Sequence, residues 1–212
     1  MSYVKKPMEI EDRSFDIIED EMNSEVLKKF SHEELMVVKR VIHTTADFQY
    51  GDLIEFIKNP IEKAKKSLAK GIKIYADTNM IKAGVNPRTL KRLNCEIVNF
   101  VADNDVIKEA GERGVTRSIV SMEKACKDPN IKAFLIGNAP TALYTLAEHI
   151  KNGLTDPDFV VAVPVGFVGA EESKNEFSTM EVPSVVVSGR KGGSTVAVAV
   201  LNAILYLVDN ER

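Results

Sequence analysis

Three glycine-rich turns in the second half of the sequence contain the residue types that bind anions. Each turn follows an apolar run and precedes a helix-like pattern, and they lie at 137–143, 164–169 and 189–194. In an open α/β sheet such turns lie at the carboxyl ends of strands, where backbone amides and helix N-termini face a ligand crevice. The pattern predicts a pocket for an anionic ligand, although an ordinary strand-to-helix turn explains the glycines of the last run equally well.

A candidate acid and base lies on a helix whose start is fixed by the capping box Ser31-His-Glu-Glu34. At roughly 100° per residue, Arg40 and His43 fall on the side opposite the apolar stripe, together with Met36 and Asp47. The stripe consists of Leu35, Val37, Val38, Val41 and Ile42. Imidazole side chains titrate near pH ~6.5, so a histidine outside the core can exchange protons near neutrality. His43 is therefore a candidate proton donor and acceptor beside a cation, with a solvated surface histidine as the alternative.

Several common kinds of site are missing from the sequence. The other two histidines, His32 and His149, lie in the first and last turns of predicted helices and are interpreted as structural. A zinc site needs three or four ligands, and His43 with Asp47 offers at most a loose pair, so no protein-bound metal is expected. The GxxxxGK[ST], GxGxxG-plus-acid and GxSxG patterns are also absent, which argues against nucleotide, dinucleotide and hydrolase sites.

Composition sets further limits. The chain has 212 residues, of which 44% are apolar, and a net charge of -3 with its basic residues spread along the chain. These values predict a single domain over 1–212 and no binding of nucleic acid. The apolar runs are too short for a membrane span, the N-terminus lacks a signal-peptide core, and Cys95 and Cys126 have no paired spacing. A cytoplasmic location with reduced thiols is expected.

Strand-like and helix-like runs alternate from residue 72 onward, whereas residues 8–70 carry helical periodicity. The last helix, over 196–207, is apolar nearly all round, which predicts burial, and Ser194 is its expected cap. The fold class is therefore α/β, with a doubly wound, mostly parallel, Rossmann-like sheet of about five strands under an N-terminal helical layer. The strands are predicted near 72–76, 96–101, 132–136, 159–165 and 183–188.

Five segments, taken in order, resemble the precorrin-8X methylmutase family of corrin biosynthesis. The resemblance extends from about residue 8 to about residue 208, and the fourth segment is long enough to make coincidence improbable. The segments are Asp12-Arg-Ser-Phe15, Arg40-Val-Ile-His43, Gly137-Asn-Ala-Pro-Thr-Ala-Leu143, Pro164-Val-Gly-Phe-Val-Gly-Ala-Glu-Glu-Ser-Lys174 and Gly189-Arg-Lys-Gly-Gly-Ser194.

The resemblance implies an isomerase that moves a methyl group from C11 to C12 of precorrin-8 or cobalt-precorrin-8, giving hydrogenobyrinate or cobyrinate. No cofactor is implied, since cobalt, if present, belongs to the substrate. His43 matches the family's proton donor and acceptor, and Ser14 and Arg40 match positions that contact the substrate. Thr44 is not carried over. The family also implies a homodimer with the tetrapyrrole bound near the subunit interface.

The substrate has several carboxylates, which need cations and amide donors. The groups predicted to bind it, besides Ser14 and Arg40, are Asn138, Thr141, Gly166, Arg190, Lys191, Gly192, Gly193 and Ser194. Arg13, Arg117 and Lys174 are weaker candidates, because single charged residues are more often solvated. The rival interpretation from another class is a non-catalytic corrinoid-binding or carrier protein that holds the tetrapyrrole without isomerising it.

Overall fold

One six-stranded sheet organises the chain. A computed structural model describes residues 6–209, except for the side chains at positions 7 and 8. The prediction that the N-terminus lacks the core of a signal peptide concerns, in part, residues 1–5, which lie outside that range. The strand order is β1-β6-β5-β4-β2-β3, and β2 to β6 are parallel whereas β1 pairs antiparallel with β6. The strands are β1 Ile54–Ile57, β2 Lys73–Ala76, β3 Glu96–Val98, β4 Ile131–Ile136, β5 Phe159–Ala162 and β6 Ser184–Val187.

The predicted α/β class and mostly parallel sheet are confirmed, and all five predicted strands form. Four of them are shorter than predicted: β2 begins one residue later, β6 lacks one residue at each end, and β3 and β5 end three residues earlier. Strand β1 was missed. It contains four residues in an otherwise helical stretch, and it depends on pairing with β6, which lies far along the chain, with Ile54 opposite Val187.

Twelve helices of the described residues cover the two faces of the sheet. On one face α12 packs against the sheet, α3, α5 and α6 pack against α12, and α1 packs outside α3. Helices α8 to α11 pack on the other side. The helices are α1 Pro7–Glu21, α2 Ser24–Leu27, α3 His32–Thr45, α4 Tyr50–Leu53, α5 Pro60–Leu68, α6 Asn79–Gly84, α7 Pro87–Arg92, α8 Asn104–Arg113, α9 Arg117–Cys126, α10 Pro140–Lys151, α11 Ala170–Ser178 and α12 Ser194–Val208.

The strands have apolar side chains on both faces, as expected for a covered sheet. In β5, Phe159 and Val161 belong to the core under α12, whereas Val160 and Ala162 belong to the core under α10 and α11. Helix α12 is buried as predicted, but Ser194 is its first residue and makes no cap. Its hydroxyl instead lies 3.0 Å from that of Thr78. No helix within residues 6–209 is long and apolar enough to cross a membrane.

The chain reverses its direction of travel across the sheet between β2 and β4. From β2 it adds β3 on one side, and then it returns to add β4, β5 and β6 on the other. Ligand crevices of open α/β sheets lie at the carboxyl ends of the strands at such a point. The turns after β4, β5 and β6, which contain most of the predicted binding residues, all lie along this edge.

Candidate functional site

Helix α1 places the first of the five segments against the second. Phe15 and Ile18 of α1 are buried, whereas Ser14 is half-buried with its hydroxyl donating to the carbonyl of Ile10 at 2.7 Å. The Phe15 ring meets the His43 ring edge-on, with centroids 5.6 Å apart, and the Arg40 guanidinium lies 4.6 Å from its centroid. The Phe15 ring thus packs against both Arg40 and His43 of α3.

The phase predicted for α3 is confirmed, since its apolar stripe is buried and His43 is exposed. No group among residues 6–209 forms a hydrogen bond with either ring nitrogen of His43. The face of α3 opposite its apolar stripe is only partly solvated, because α1 covers it at Arg40. The exposed imidazole therefore packs against Phe15, and its ring nitrogens are not used in hydrogen bonds within the described part of the chain.

Arg40 is the more enclosed member of the pair. Its side chain is 14% exposed and forms an ion pair with Glu11 of α1. Its Nε is buried without a hydrogen-bond partner in the described part of the chain. Arg40 also lines a cavity of about 290 Å³ between α3, α6 and α12, whose lining includes Thr44, Met80 and Asn202. The charge of Arg40 is therefore close to a space that an anionic group of a ligand can enter.

The β6–α12 turn is packed tightly against the end of β5. A side chain at Gly192, where φ is +148°, would place its Cβ 2.2 Å from the carbonyl oxygen of Val163. The amide of Gly193 donates to that same oxygen at 2.9 Å, and the amide of Gly166 donates to the carbonyl of Arg190 at 3.2 Å. Gly192 is needed for this close backbone approach. The amides of Gly166 and Gly193 are already used in hydrogen bonds within the protein.

The two cations of this turn point in different directions. Arg190 is exposed, and its guanidinium lies 5.4 Å from the centroid of the Phe167 ring. Lys191 forms an ion pair with Asp47, two residues past the end of α3, and its hydrogen bond holds the pKa of Asp47 below the ordinary value. The turn is therefore joined to the segment that directly follows α3.

The first glycine-rich turn has its own anion. Asp77, which directly follows β2 and is 3% exposed, accepts hydrogen bonds from the amides of Gly137, Asn138 and Ala139 at 3.0, 2.9 and 2.8 Å. Burial raises the pKa of Asp77, and the three amide bonds oppose that rise. The expected anion cradle at the start of α10 thus exists, but a carboxylate of the protein occupies it.

Two further predicted residues, Asn138 and Thr141, lie just before α10 and in its first turn. The Asn138 side chain is exposed at the sheet edge, whereas the Thr141 hydroxyl lies 3.3 Å from that of Thr116, at the start of α9. Gly137 connects this region to the β6–α12 turn, since a Cβ there would lie 2.8 Å from the Cα of Ser194. The structure thus joins α1, α3 and the β6–α12 turn closely, and places Thr141 on the other side of the sheet.

Lys174 and Asp77 have environments that were not predicted from the sequence. Lys174, expected to be solvated, is fully buried, whereas Arg117 is exposed as expected. Asp77 was not among the predicted residues, although an acidic residue directly after a predicted strand indicates a polar group at the carboxyl edge of the sheet. Burial of Lys174 had no such signal, because it depends on how α11 packs.

Two observations concern other candidate sites. Within residues 6–209, no group of three or more histidine, cysteine or acidic side chains could hold a metal ion. A wider groove of about 790 Å³ lies at the opposite, amino-terminal ends of β2 to β4, where Lys73, Lys91 and Lys132 line it. Its lysines are surface groups, and it lies away from the turns that follow the strands.

The fold and the site define a class: a doubly wound α/β protein with a histidine and cations at the carboxyl edge of its sheet. Residues 9–207 match the precorrin-8X methylmutase family, and the chain belongs to that family. A cobalt-precorrin-8 methylmutase of Priestia megaterium is 42% identical over 97% of this chain and 90% of its own. The Salmonella typhimurium protein of the same name is 40% identical over 97% and 98%.

A solved structure agrees with this assignment. The structure described as a precorrin-8x methyl mutase from Thermus thermophilus superposes with a TM-score of 0.86 at 36% identity, covering 95% of this chain and 96% of that one. The resemblance found in the five segments is thereby confirmed. The predicted enzyme class, an isomerase of the methylmutase type, is confirmed as well.

Proposed function

We propose that the protein moves a methyl group from C11 to C12 of cobalt-precorrin-8 to give cobyrinate, with His43 as proton donor and acceptor. The observation that carries the role of His43 is its position: it is exposed, it shares the Phe15 ring with Arg40, and the Asp47–Lys191 ion pair lies just beyond the end of its helix. The cobalt-containing form is favoured because the relatives at 40% and 42% identity are named for it.

The chemistry follows from the balance of protons. Protonating the conjugated ring makes it electron-poor, which eases the migration of a methyl group with its bonding electrons to the neighbouring carbon. The reaction is an isomerisation, so the proton given at the start must be taken back at the end. A single imidazole that first donates and then accepts meets this requirement. His43 performs both steps without any cofactor, and cobalt stays within the substrate.

Cations and amides hold the carboxylates of the substrate. Arg40 lines the cavity, Arg190 is exposed at the turn, and Lys191 pairs with Asp47 just after α3. Guanidinium and ammonium groups bind carboxylates through charge-assisted hydrogen bonds. Ser14, Asn138 and Thr141 add side-chain donors, and Ser194 and the glycines 166, 192 and 193 shape the turns around them.

A homodimer would complete the site. The cavity beside Arg40, at about 290 Å³, is at the lower limit for a drug-sized ligand, and a tetrapyrrole with several acid side chains is larger. Next to the β6–α12 turn, Phe167 and Val168 are 83% and 89% exposed. Large apolar residues exposed side by side mark interaction sites. We therefore propose that a second copy covers the tetrapyrrole bound on this edge.

The experiment that tests the function has two steps. Cobyrinic acid and hydrogenobyrinic acid are titrated into the protein and followed by visible absorption, and enzymatically prepared cobalt-precorrin-8 is then tested for turnover. We expect stoichiometric binding of cobyrinic acid and conversion of the substrate. Failure of the folded protein to bind either corrinoid would contradict the proposed substrate, and binding without turnover would favour a carrier.

Replacing Arg40 by methionine should weaken binding more than chemistry. Methionine keeps the packing on Phe15 but removes a buried charged donor, so we expect KM to rise about 10- to 100-fold with kcat changed by only a few fold. The matched control is Arg88→Met, since Arg88 is exposed on α7 at the other end of the sheet. A loss confined to kcat would show that Arg40 acts in the chemical step instead.

A further inference from the structure

Lys174 is a fully buried lysine on α11, at the end of the longest family segment. Lysine is rarely buried, because removing an ammonium group from water is costly unless it is paired or hydrogen-bonded. The Nζ of Lys174 donates to the backbone carbonyl of Lys191 at 2.7 Å. A buried charge is therefore directed at a single peptide group of the β6–α12 turn.

That peptide group joins Lys191 to Gly192, the glycine that approaches the backbone of Val163 most closely. The turn is held from β5 through the carbonyl of Val163 and from the β5–α11 loop through the amide of Gly166. Lys174 holds it from α11. On its other side, the Lys191 side chain reaches Asp47, just beyond the end of the helix that carries His43. The position of the Lys191 peptide therefore sets where the side chains of Arg190 and Lys191 start.

We propose that Lys174 is a positioning residue, whose buried ammonium anchors the Gly189–Gly193 turn so that Arg190 and Lys191 meet the carboxylates of the substrate. This inference rests on the proposed function, because it assigns Lys174 an effect only through cations that bind substrate. Lys174 itself, being fully buried, is not expected to touch the substrate.

Burial makes the hold of Lys174 on the turn dependent on pH. Burial lowers its pKa to about 8, while Glu171 on the same helix opposes the shift. Helix α11 also packs against α10 and β6. The titratable or charged groups of α10 are Tyr144, Glu148, His149 and Lys151, those of the turn are Arg190 and Lys191, and β6 has none.

Binding and stability should respond to this titration in opposite directions. As the pH rises through about 8, the ammonium becomes a neutral amine, whose hydrogen bond to the Lys191 carbonyl is weaker, so the turn loosens. Stability follows the other sign. Because the folded pKa lies below the ordinary 10.5, the unfolded chain holds more protons between the two values, and Lys174 contributes more stability as the pH rises.

The test compares wild type with Lys174→Met, which has a similar length but no donor. Cobyrinic acid affinity is measured from pH 7 to 9.5, together with the melting temperature and kcat at pH 7. For wild type we expect Kd to rise about 10-fold across this range, as a charge-assisted bond becomes a neutral one. Lys174→Met should bind about 10-fold more weakly at pH 7, independently of pH, with kcat nearly unchanged.

The matched control is Lys151→Met, which removes an exposed ammonium paired with Glu176 of α11 and should behave as wild type. If Lys174→Met does not fold, the double variant Arg190→Met, Lys191→Met replaces it. Removing both cations should abolish the dependence of Kd on pH near 8, and its persistence would contradict the inference. Wild type that binds at pH 7 with a flat profile overturns only this inference, whereas no binding at pH 7 overturns the proposed function.

Discussion

Replacing His43 by alanine should lower kcat by about 10² to 10⁴, the range found when a general acid and base is removed, while corrinoid affinity changes only a few fold. The fold should be unaffected, because the side chain is exposed and its packing contact is one edge of Phe15. The rate is measured in a single turnover with cobalt-precorrin-8 in excess enzyme, and binding is measured with cobyrinic acid.

The matched control is His32→Ala, which removes an exposed histidine from the first turn of the same helix. It should leave kcat and affinity unchanged, so that any general effect of losing an imidazole from α3 is accounted for. Near-normal turnover in His43→Ala would contradict the proton role. Equal losses in affinity and rate would indicate instead that His43 binds the substrate.

The orientation of His43 could be predicted because it depends on local information alone. The capping box at Ser31 and Glu34 fixes where α3 begins, and the structure contains both of its hydrogen bonds. Helical periodicity then determines which residues face the core. The same reasoning located strands β2 to β6, since each is an apolar run bounded by turn residues.

Features that depend on distant parts of the chain could not be predicted in this way. Strand β1 becomes a strand by pairing with β6, and Ser194 is drawn to Thr78 instead of capping its helix. The contact of Phe15 with Arg40 and His43 depends on how α1 crosses α3. The family resemblance grouped these segments in one site, but only the tertiary structure gives the contacts between them.

Charged residues in the interior are the hardest to predict, because a sequence alone does not distinguish a buried lysine from a solvated one. Asp77 and Lys174 both make hydrogen bonds to backbone groups of turns at the carboxyl edge of the sheet. Asp77 accepts hydrogen bonds from amides that the glycine pattern predicted to bind a ligand, and Lys174 donates to a turn carbonyl that was expected to face a ligand or water. The amides of such turns therefore predict an anion, but the anion can belong to the protein.

Replacing Asp77 by alanine should destabilise the protein by about 3–5 kcal/mol, because it leaves three buried amide donors without their acceptor at about 1–3 kcal/mol each, partly offset by water. Asp77→Asn keeps the shape and one good acceptor, but directs an NH₂ group at an amide N–H, so an intermediate loss is expected. The free energy of unfolding is measured by urea denaturation, and Asp156→Ala, at an exposed loop residue, should change it by less than about 0.5 kcal/mol.

The cradle left by Asp77→Ala should also select for small carboxylates. Formate or acetate fits the space of the missing side chain and can accept from the amides of Gly137, Asn138 and Ala139, so either should restore part of the stability as its concentration rises. Chloride at equal ionic strength is the control, and wild type should not respond. If Asp77→Ala were as stable as Asp156→Ala, the amides would be satisfied by other means, and the turn would not depend on an internal carboxylate.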